Sequence, residues 1–274
     1  MALGLVTVAM PAAHAARVES YRPATRAYVM PRDVIVVSFN ACGGICRRGE
    51  VPVTARHIAG LARNADVVLL QELCESQFDR VRTLLKTSGF HGRFAAATVS
   101  RDCRTAFGVA VFVRAPVLES AVLPLPTRPG YEHRTLLGVT ARIGGRRTFV
   151  ATVHLSPSPA AGLDGQLTTV ARYLDAHAAG PAIVGGDFNS LPVKPQLLEF
   201  YSAAAGGTGR FLEADEFRGR RAEIGGFPTF DVAGRKIDYV FFSTGDFAAP
   251  TAGSLPTTLS DHRVYRGTAR ITSG

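Results

Sequence analysis

Seven short apolar runs rich in β-branched residues recur along this chain, and they restrict it to folds built around buried sheets. They are VIVVSF (34–39), DVVLLQ (66–71), GVAVFV (108–113), RTLLGVTARI (134–143), RTFVATVHL (147–155), PAIVGGDF (181–188) and KIDYVFF (236–242). Some are continuously apolar and others alternate, so mixed sheets covered by helices are expected. The IGGRR between two of the runs predicts a hairpin turn. Helical periodicity lies near 52–63, 76–87, 162–178 and 195–203, which makes the class α/β (α+β). Residues 204–227 are rich in Gly and Arg and read as a surface excursion. No repeat or long linker divides the chain. With 274 residues, 46% of them hydrophobic, it can bury one large core, so one domain is expected over 34–274, preceded by a lead-in at 16–33.

The first fifteen residues read differently. ALGLVTVAM is a short apolar run, and Ala13-His14-Ala15 has the small-x-small form of a signal-peptidase site. Residues 1–15 are therefore read as a removed signal, although the usual positively charged start is missing. A buried first strand is the competing reading, and Pro11 with the Ala-rich run weighs against it. No run of about 20 apolar residues occurs in the body of the chain, so no membrane-spanning helix is expected.

Export also bears on the four cysteines, Cys42, Cys46, Cys74 and Cys103. Their spacing fits no common zinc pattern, and outside the cell they read as two disulfides. The short CGGIC loop favours Cys42–Cys46, with two glycines permitting a tight turn, which leaves Cys74 to pair with Cys103. The net charge of +9 suits a polyanionic partner without demonstrating one. Only three lysines contribute to it (Lys86, Lys194, Lys236), so the charge is almost entirely arginine and can reflect codon bias as much as function.

Polar residues gather at the ends of the apolar runs. Asn40 follows VIVVSF, Glu72 follows DVVLLQ, His154 lies in TFVATVH, and Asp187 and Asn189 close AIVGGDFN. Asp238 sits in KIDYVFF, and LSDHR supplies Asp261 and His262. Any one of these alone reads as a turn residue, a helix cap or a satisfied core group. Together they combine carboxylates, carboxamides and two histidines, the groups that metal-assisted phosphate hydrolysis requires.

The order N…QE…R…H…GDFN…IDY…SDH resembles a secreted bacterial member of the DNase I-like endonuclease/exonuclease/phosphatase superfamily, over residues 34 to about 270. The resemblance implies a four-layer sandwich of two packed mixed β-sheets flanked by helices, with the site at one mouth. It also implies the roles of the residues. Glu72 would be the main ligand of Mg²⁺ (or Mn²⁺ or Ca²⁺), with Asn40 and Asp261 beside it. Asp187 would orient or deprotonate the attacking water. Asn189, Asn40 and Arg134 would contact the substrate phosphate. His262, oriented by Asp238, would stabilise the transition state, with His154 as a second histidine.

Two departures stand out. Relatives in the DNase I branch carry a glutamate partner for the second histidine shortly before the GVAV strand, whereas this chain has RDCRTAFGVAV. The tail reads SDHRVY, where many relatives have proline two residues after the histidine. The superfamily hydrolyses DNA, RNA, sphingomyelin and inositol phosphates, so fold does not choose the substrate. The chain has no Trp and no aromatic-rich hairpin for reaching membranes, and its IDY form is closer to the nuclease and nocturnin-like branches than to the inositol phosphatases. The expectation is an extracellular, monomeric, metal-dependent nuclease acting on nucleic acid. A secreted phosphatase, a lipid phosphodiesterase or a non-catalytic polyanion-binding protein are the alternatives.

Overall fold

A computed structural model describes residues 32–215 and 226–272. The expected signal segment at 1–15 lies outside them, as does most of the lead-in. Two six-stranded sheets form the body. The first contains β1 (Arg32–Asn40), β2 (Val67–Cys74), β3 (His91–Val99), β4 (Ala106–Val113), β11 (Phe247–Leu255) and β12 (Val264–Ile271), in the order β11-β12-β1-β2-β4-β3. The second contains β5 (Val117–Leu125), β6 (Arg134–Ile143), β7 (Arg146–His154), β8 (Ala182–Asp187), β9 (Phe211–Glu213) and β10 (Asp238–Ser243), in the order β5-β6-β7-β8-β10-β9. Both sheets are mixed. Each has one parallel pair near its centre, β1 with β2 and β7 with β8. A helix makes each parallel crossover, α1 (Pro52–Leu61) in the first sheet and α3 (Leu163–His177) in the second.

Alternation along the strands makes the layers. Val34 and Val36 of β1, Leu69 of β2, Val139 of β6 and Val240 of β10 meet between the two sheets. The intervening residues face outward. Val37 and Phe39 join Ile58 of α1 and Phe78 and Val81 of α2 (Glu75–Leu85), while Val153 and Val184 join Leu167, Val170 and Leu174 of α3. The result is the expected four-layer sandwich of helices, sheet, sheet and helix.

Several boundaries differ from the sequence reading. β1 begins at Arg32, inside the expected lead-in. The stretch 195–203 holds only 3₁₀ turns, at Pro195–Glu199 and from Ala203, and no α-helix. Within the expected surface excursion, Phe211–Glu213 forms β9 on the edge of the second sheet, with Phe211, Glu213 and Asp215 buried. The buried charges there are matched: Lys236 Nζ donates to Glu213 Oε1 at 3.2 Å and to the Tyr265 hydroxyl at 2.9 Å. The expected hairpin is present, with Gly144 and Gly145 at φ of 56° and 81° between β6 and β7.

Both expected disulfides, Cys42–Cys46 and Cys74–Cys103, are formed. The CGGIC turn uses its first glycine in another way than expected. Cys42 takes the left-handed conformation, at φ 44°, while Gly43 leaves room for close approach. A Cβ at Gly43 would lie 2.7 Å from the Glu72 carbonyl oxygen.

Candidate active site

Strand register assembles the site at the end where both parallel pairs terminate. In the second sheet His154 is aligned with Asp187, and Asp187 with Asp238, so β7, β8 and β10 place three functional side chains in one row. All three point between the sheets, at the parity of Val150, Ile183 and Val240. In the first sheet Asn40 has the same parity as Val34 and Val36. Glu72 does not follow simple alternation. The β2–β4 register shifts between Leu70 and Leu73, and Glu72 has φ 51°. This bulge leaves Leu70 and Leu73 on the outer face and turns Glu72 toward Asn40. Ser260 fixes the last segment to β1: its hydroxyl donates to the Asn40 carbonyl at 2.8 Å and accepts the His262 N–H at 3.0 Å.

Asp187 Oδ2 is the centre of the cluster. Asn40 Nδ2 donates to it at 3.1 Å, while His154 Nε2 lies at 3.5 Å and His262 Nε2 at 3.6 Å. Its other oxygen accepts the Asn189 N–H at 2.8 Å. Burial raises the Asp187 carboxyl to about 7, with Asp238 and Glu72 adding to the rise and His262 opposing it. His262 moves the other way in charge. Burial disfavours its cation, but Asp238 and Asp187 outweigh burial and push it up to about 10. The Asp238 Oδ2 to His262 Nδ1 distance is 2.9 Å, so Asp238 accepts from a charged imidazolium at neutral pH.

His154 is neutral. Burial lowers it well below its ordinary value, and the charges of Arg134 and His262 lower it further. Arg134 Nη1 lies 2.8 Å from His154 Nδ1 and 3.4 Å from Nε2, so the guanidinium sits against the ring and opposes a second positive charge there. Arg134 in turn donates to Glu132 Oε1 at 2.9 Å.

Asn40 was expected as a metal ligand and a phosphate contact. Its Oδ1 accepts the Cys42 N–H at 3.0 Å, and its Nδ2 donates to Glu72 Oε1 at 3.0 Å as well as to Asp187. Reversing the amide would set N–H against the Cys42 N–H, so these contacts favour this orientation. Asn40 therefore aligns the two acids, and its nitrogen, not its oxygen, faces them. Asn189, at φ 47°, donates its side-chain amide to the Leu155 carbonyl at 2.9 Å, which makes it a brace for Asp187 in this structure. Arg134 still lines the open groove beside Glu72 and His154.

The donor chemistry fits a hard cation. Glu72 and Asp261 are carboxylates at the partly open edge, and Asp261 joins burial in raising Glu72, against the opposing effects of Asn40, His262 and Arg134. A divalent ion between them would relieve that repulsion. The sulfurs beside Asp261 belong to Cys42 and Cys46, already joined to each other, and so offer no thiolate. Asp187, Asp238 and His262 also cluster closely, but there the protonated imidazole itself balances the acids.

Three supporting residues escaped the sequence reading. The Thr229 hydroxyl accepts the N–H groups of Ile237 and Asp238, both at 3.0 Å, and the Phe230 ring packs 5.0 Å from His262. Gln71 bridges the sheets, donating to the Thr152 hydroxyl at 2.9 Å. The polar pair Gln71-Glu72 closing an apolar strand was the available signal. Nothing local marks Thr229 or Phe230.

Solved structures share this architecture at low identity. An endonuclease/exonuclease/phosphatase from Beutenbergia cavernae is 24% identical with a TM-score of 0.67, covering 88% of this chain and 72% of its own. The human nocturnin catalytic domain is 20% identical with a TM-score of 0.65, covering 88% and 95%. A mannosyl-6-phosphatase of Bacteroides thetaiotaomicron is 17% identical with a TM-score of 0.64, covering 85% and 98%. No curated protein sequence matched. The model of the Endonuclease/Exonuclease/phosphatase family matches residues 37–262, from β1 to His262, and the chain belongs to that family.

Proposed function

We propose that this protein is an exported, monomeric phosphodiesterase that requires a divalent cation and cleaves nucleic acid. The observation that carries the reading is the pairing of a near-neutral acid, Asp187, with a charged His262 around one point. Phosphodiester hydrolysis needs a proton acceptor for water and positive donors for the phosphoryl oxygens. Asp187, held by Asn40 and Asn189, accepts the proton of the attacking water. His262, oriented by Asp238, donates to the phosphoryl oxygens as charge builds there. His154 adds a neutral imidazole beside Asp187, and Arg134 adds positive charge to the groove. Glu72 and Asp261 would hold Mg²⁺ or Mn²⁺, which would supply electrophilic stabilisation of the developing charge.

Export is supported by the signal-like segment 1–15 and by the disulfides. Among the described residues no helix is long and apolar enough to cross a membrane. Nucleic acid is supported by the +9 charge and the IDY form of the β10 motif. The neighbours do not choose, since one is named a mannosyl-6-phosphatase and another nocturnin. A hydrolysis panel of plasmid DNA, RNA, sphingomyelin and a phosphomonoester, with and without Mg²⁺, tests the reading. DNA or RNA should be turned over fastest, chelation should abolish turnover, and Mg²⁺ or Mn²⁺ should restore it. Full activity in a metal-free preparation removes the cation requirement. Rapid sphingomyelin cleavage with DNA and RNA untouched moves the protein to the lipid branch.

A further inference from the structure

The groove that opens on Glu72, Arg134 and His154 encloses about 510 Å³. Its lining carries both signs of charge, from Glu72, Glu132 and Arg134, together with the apolar or aromatic residues Ile45, Val99, Phe107 and Tyr131 and the hydroxyls of Thr98 and Ser100. Among the described residues no lysine or arginine other than Arg134 lines the groove, so this wall is not built to track a second phosphate. An inositol polyphosphate, or a second backbone phosphate running along it, would meet no other cation among those residues.

The apolar residues are unusually open for their type. Ile45 is 79% exposed, Val99 76% and Tyr131 46%, and all three line this one groove. The walls are also held in place from behind. Cys42–Cys46 closes the loop carrying Gly44 and Ile45, and Cys74–Cys103 ties the end of β2 to the loop that follows β3. Buried Phe107 packs against that second bridge, and the Gly44 backbone lies against Phe107 and Ser100. A wall so fixed loses little entropy when a ligand settles on it.

We propose that this wall seats the nucleobase adjoining the scissile phosphate, with Tyr131 as its aromatic platform and Ile45 and Val99 as its aliphatic sides. The proposal rests on the nucleic-acid reading above. A phosphate beside Arg134 and His154 would leave the group esterified to it against the apolar lining of the same groove. That group must be uncharged, largely apolar and able to use hydroxyl partners at its edge, and a base meets all three conditions. An acyl chain would suit the aliphatic residues, but it would leave the hydroxyls of Thr98 and Ser100 against hydrocarbon.

The test compares kcat/KM for oligothymidylate and for an equally long abasic phosphodiester of the same charge, in wild type and in Tyr131→Ala and Ile45→Ser. Both side chains are exposed, and a thermal melt confirms that each variant is folded. Wild type should prefer the base-bearing oligomer by about tenfold or more, in line with base–aromatic stacking energies. Each variant should lose much of that preference through the base-bearing substrate. Equal rates on both oligomers, or a preference unchanged in both variants, would overturn the base site and leave the nucleic-acid reading standing. Cleavage of neither oligomer nor of oligouridylate, with a phosphomonoester turned over instead, would remove the nucleic-acid reading itself. Turnover of sphingomyelin-containing vesicles, with both oligomers inert, would overturn it in favour of an acyl chain in the groove.

Discussion

His154 and His262 approach the same oxygen of Asp187, at 3.5 and 3.6 Å, and carry different charges when they do so. Burial lowers His154, and the charges of Arg134 and His262 lower it further, whereas Asp238 and Asp187 outweigh burial at His262 and hold that ring charged. One buried carboxylate thus has a neutral imidazole and a cationic one beside it.

The charge difference is visible in the metal-free protein. In a histidine NMR titration His262 should stay protonated until about pH 10, while His154 should remain neutral well below its ordinary range. Asp238→Asn should lower the His262 transition. The stability consequence follows from the direction of the shift. A folded-state value raised above the unfolded value of about 6.5 stabilises the fold fully below 6.5, and the effect is lost as pH rises through about 10. Wild type should therefore exceed Asp238→Asn in stability most clearly near pH 6 and lose that excess above about pH 10. A His262 that titrates near 6.5 in wild type would contradict the Asp238–His262 pairing.

Asp187→Asn and His262→Ala should each lower kcat by about a hundredfold or more at neutral pH with the fold retained, since each removes one preorganised contact to the transition state. The double variant should fall far short of the product of the two losses, because both groups act on one reacting centre. Steady-state kinetics with circular dichroism checks both points. A double variant as active as wild type would mean that this cluster is not where hydrolysis occurs.

The Cys74–Cys103 bridge follows Glu72 by two residues and spans 29 positions. Chain-entropy arithmetic for such a loop gives about 3.5 kcal/mol of stabilisation. Replacing both cysteines by alanine should lower the unfolding free energy by an amount of that order. It should also weaken Mg²⁺ or Mn²⁺ binding, because the bulge that aims Glu72 sits directly before the bridge. Chemical denaturation and calorimetric metal titration separate the two effects. Lower stability with unchanged metal affinity would confine the bridge to holding the fold together.

The residues at strand ends were legible in the sequence because a buried strand announces itself by its apolar run, and a polar group closing such a run stands out. Asn40, Glu72, His154, Asp187 and Asp238 all lie in or at the ends of runs read as strands. The strands that escaped the reading were chiefly those at sheet edges. β3, β5, β9 and β11 are the four outermost strands, and edge positions tolerate the Pro124, Pro250, Glu119 and alanine-rich stretches that blur a periodic pattern. β12 is interior, yet Arg266, Gly267 and Arg270 interrupt its alternation.

The sequence by itself determined which residue types reach the site and the strand ends they come from, since period and hydrophobicity are local properties. The tertiary structure alone decided what each group faces. It put Arg134 against His154, turned Glu72 inward through a bulge, and set Asn40 between two acids. Those outcomes depend on register between strands distant in the chain, and a shift of one residue would reverse which face each side chain takes.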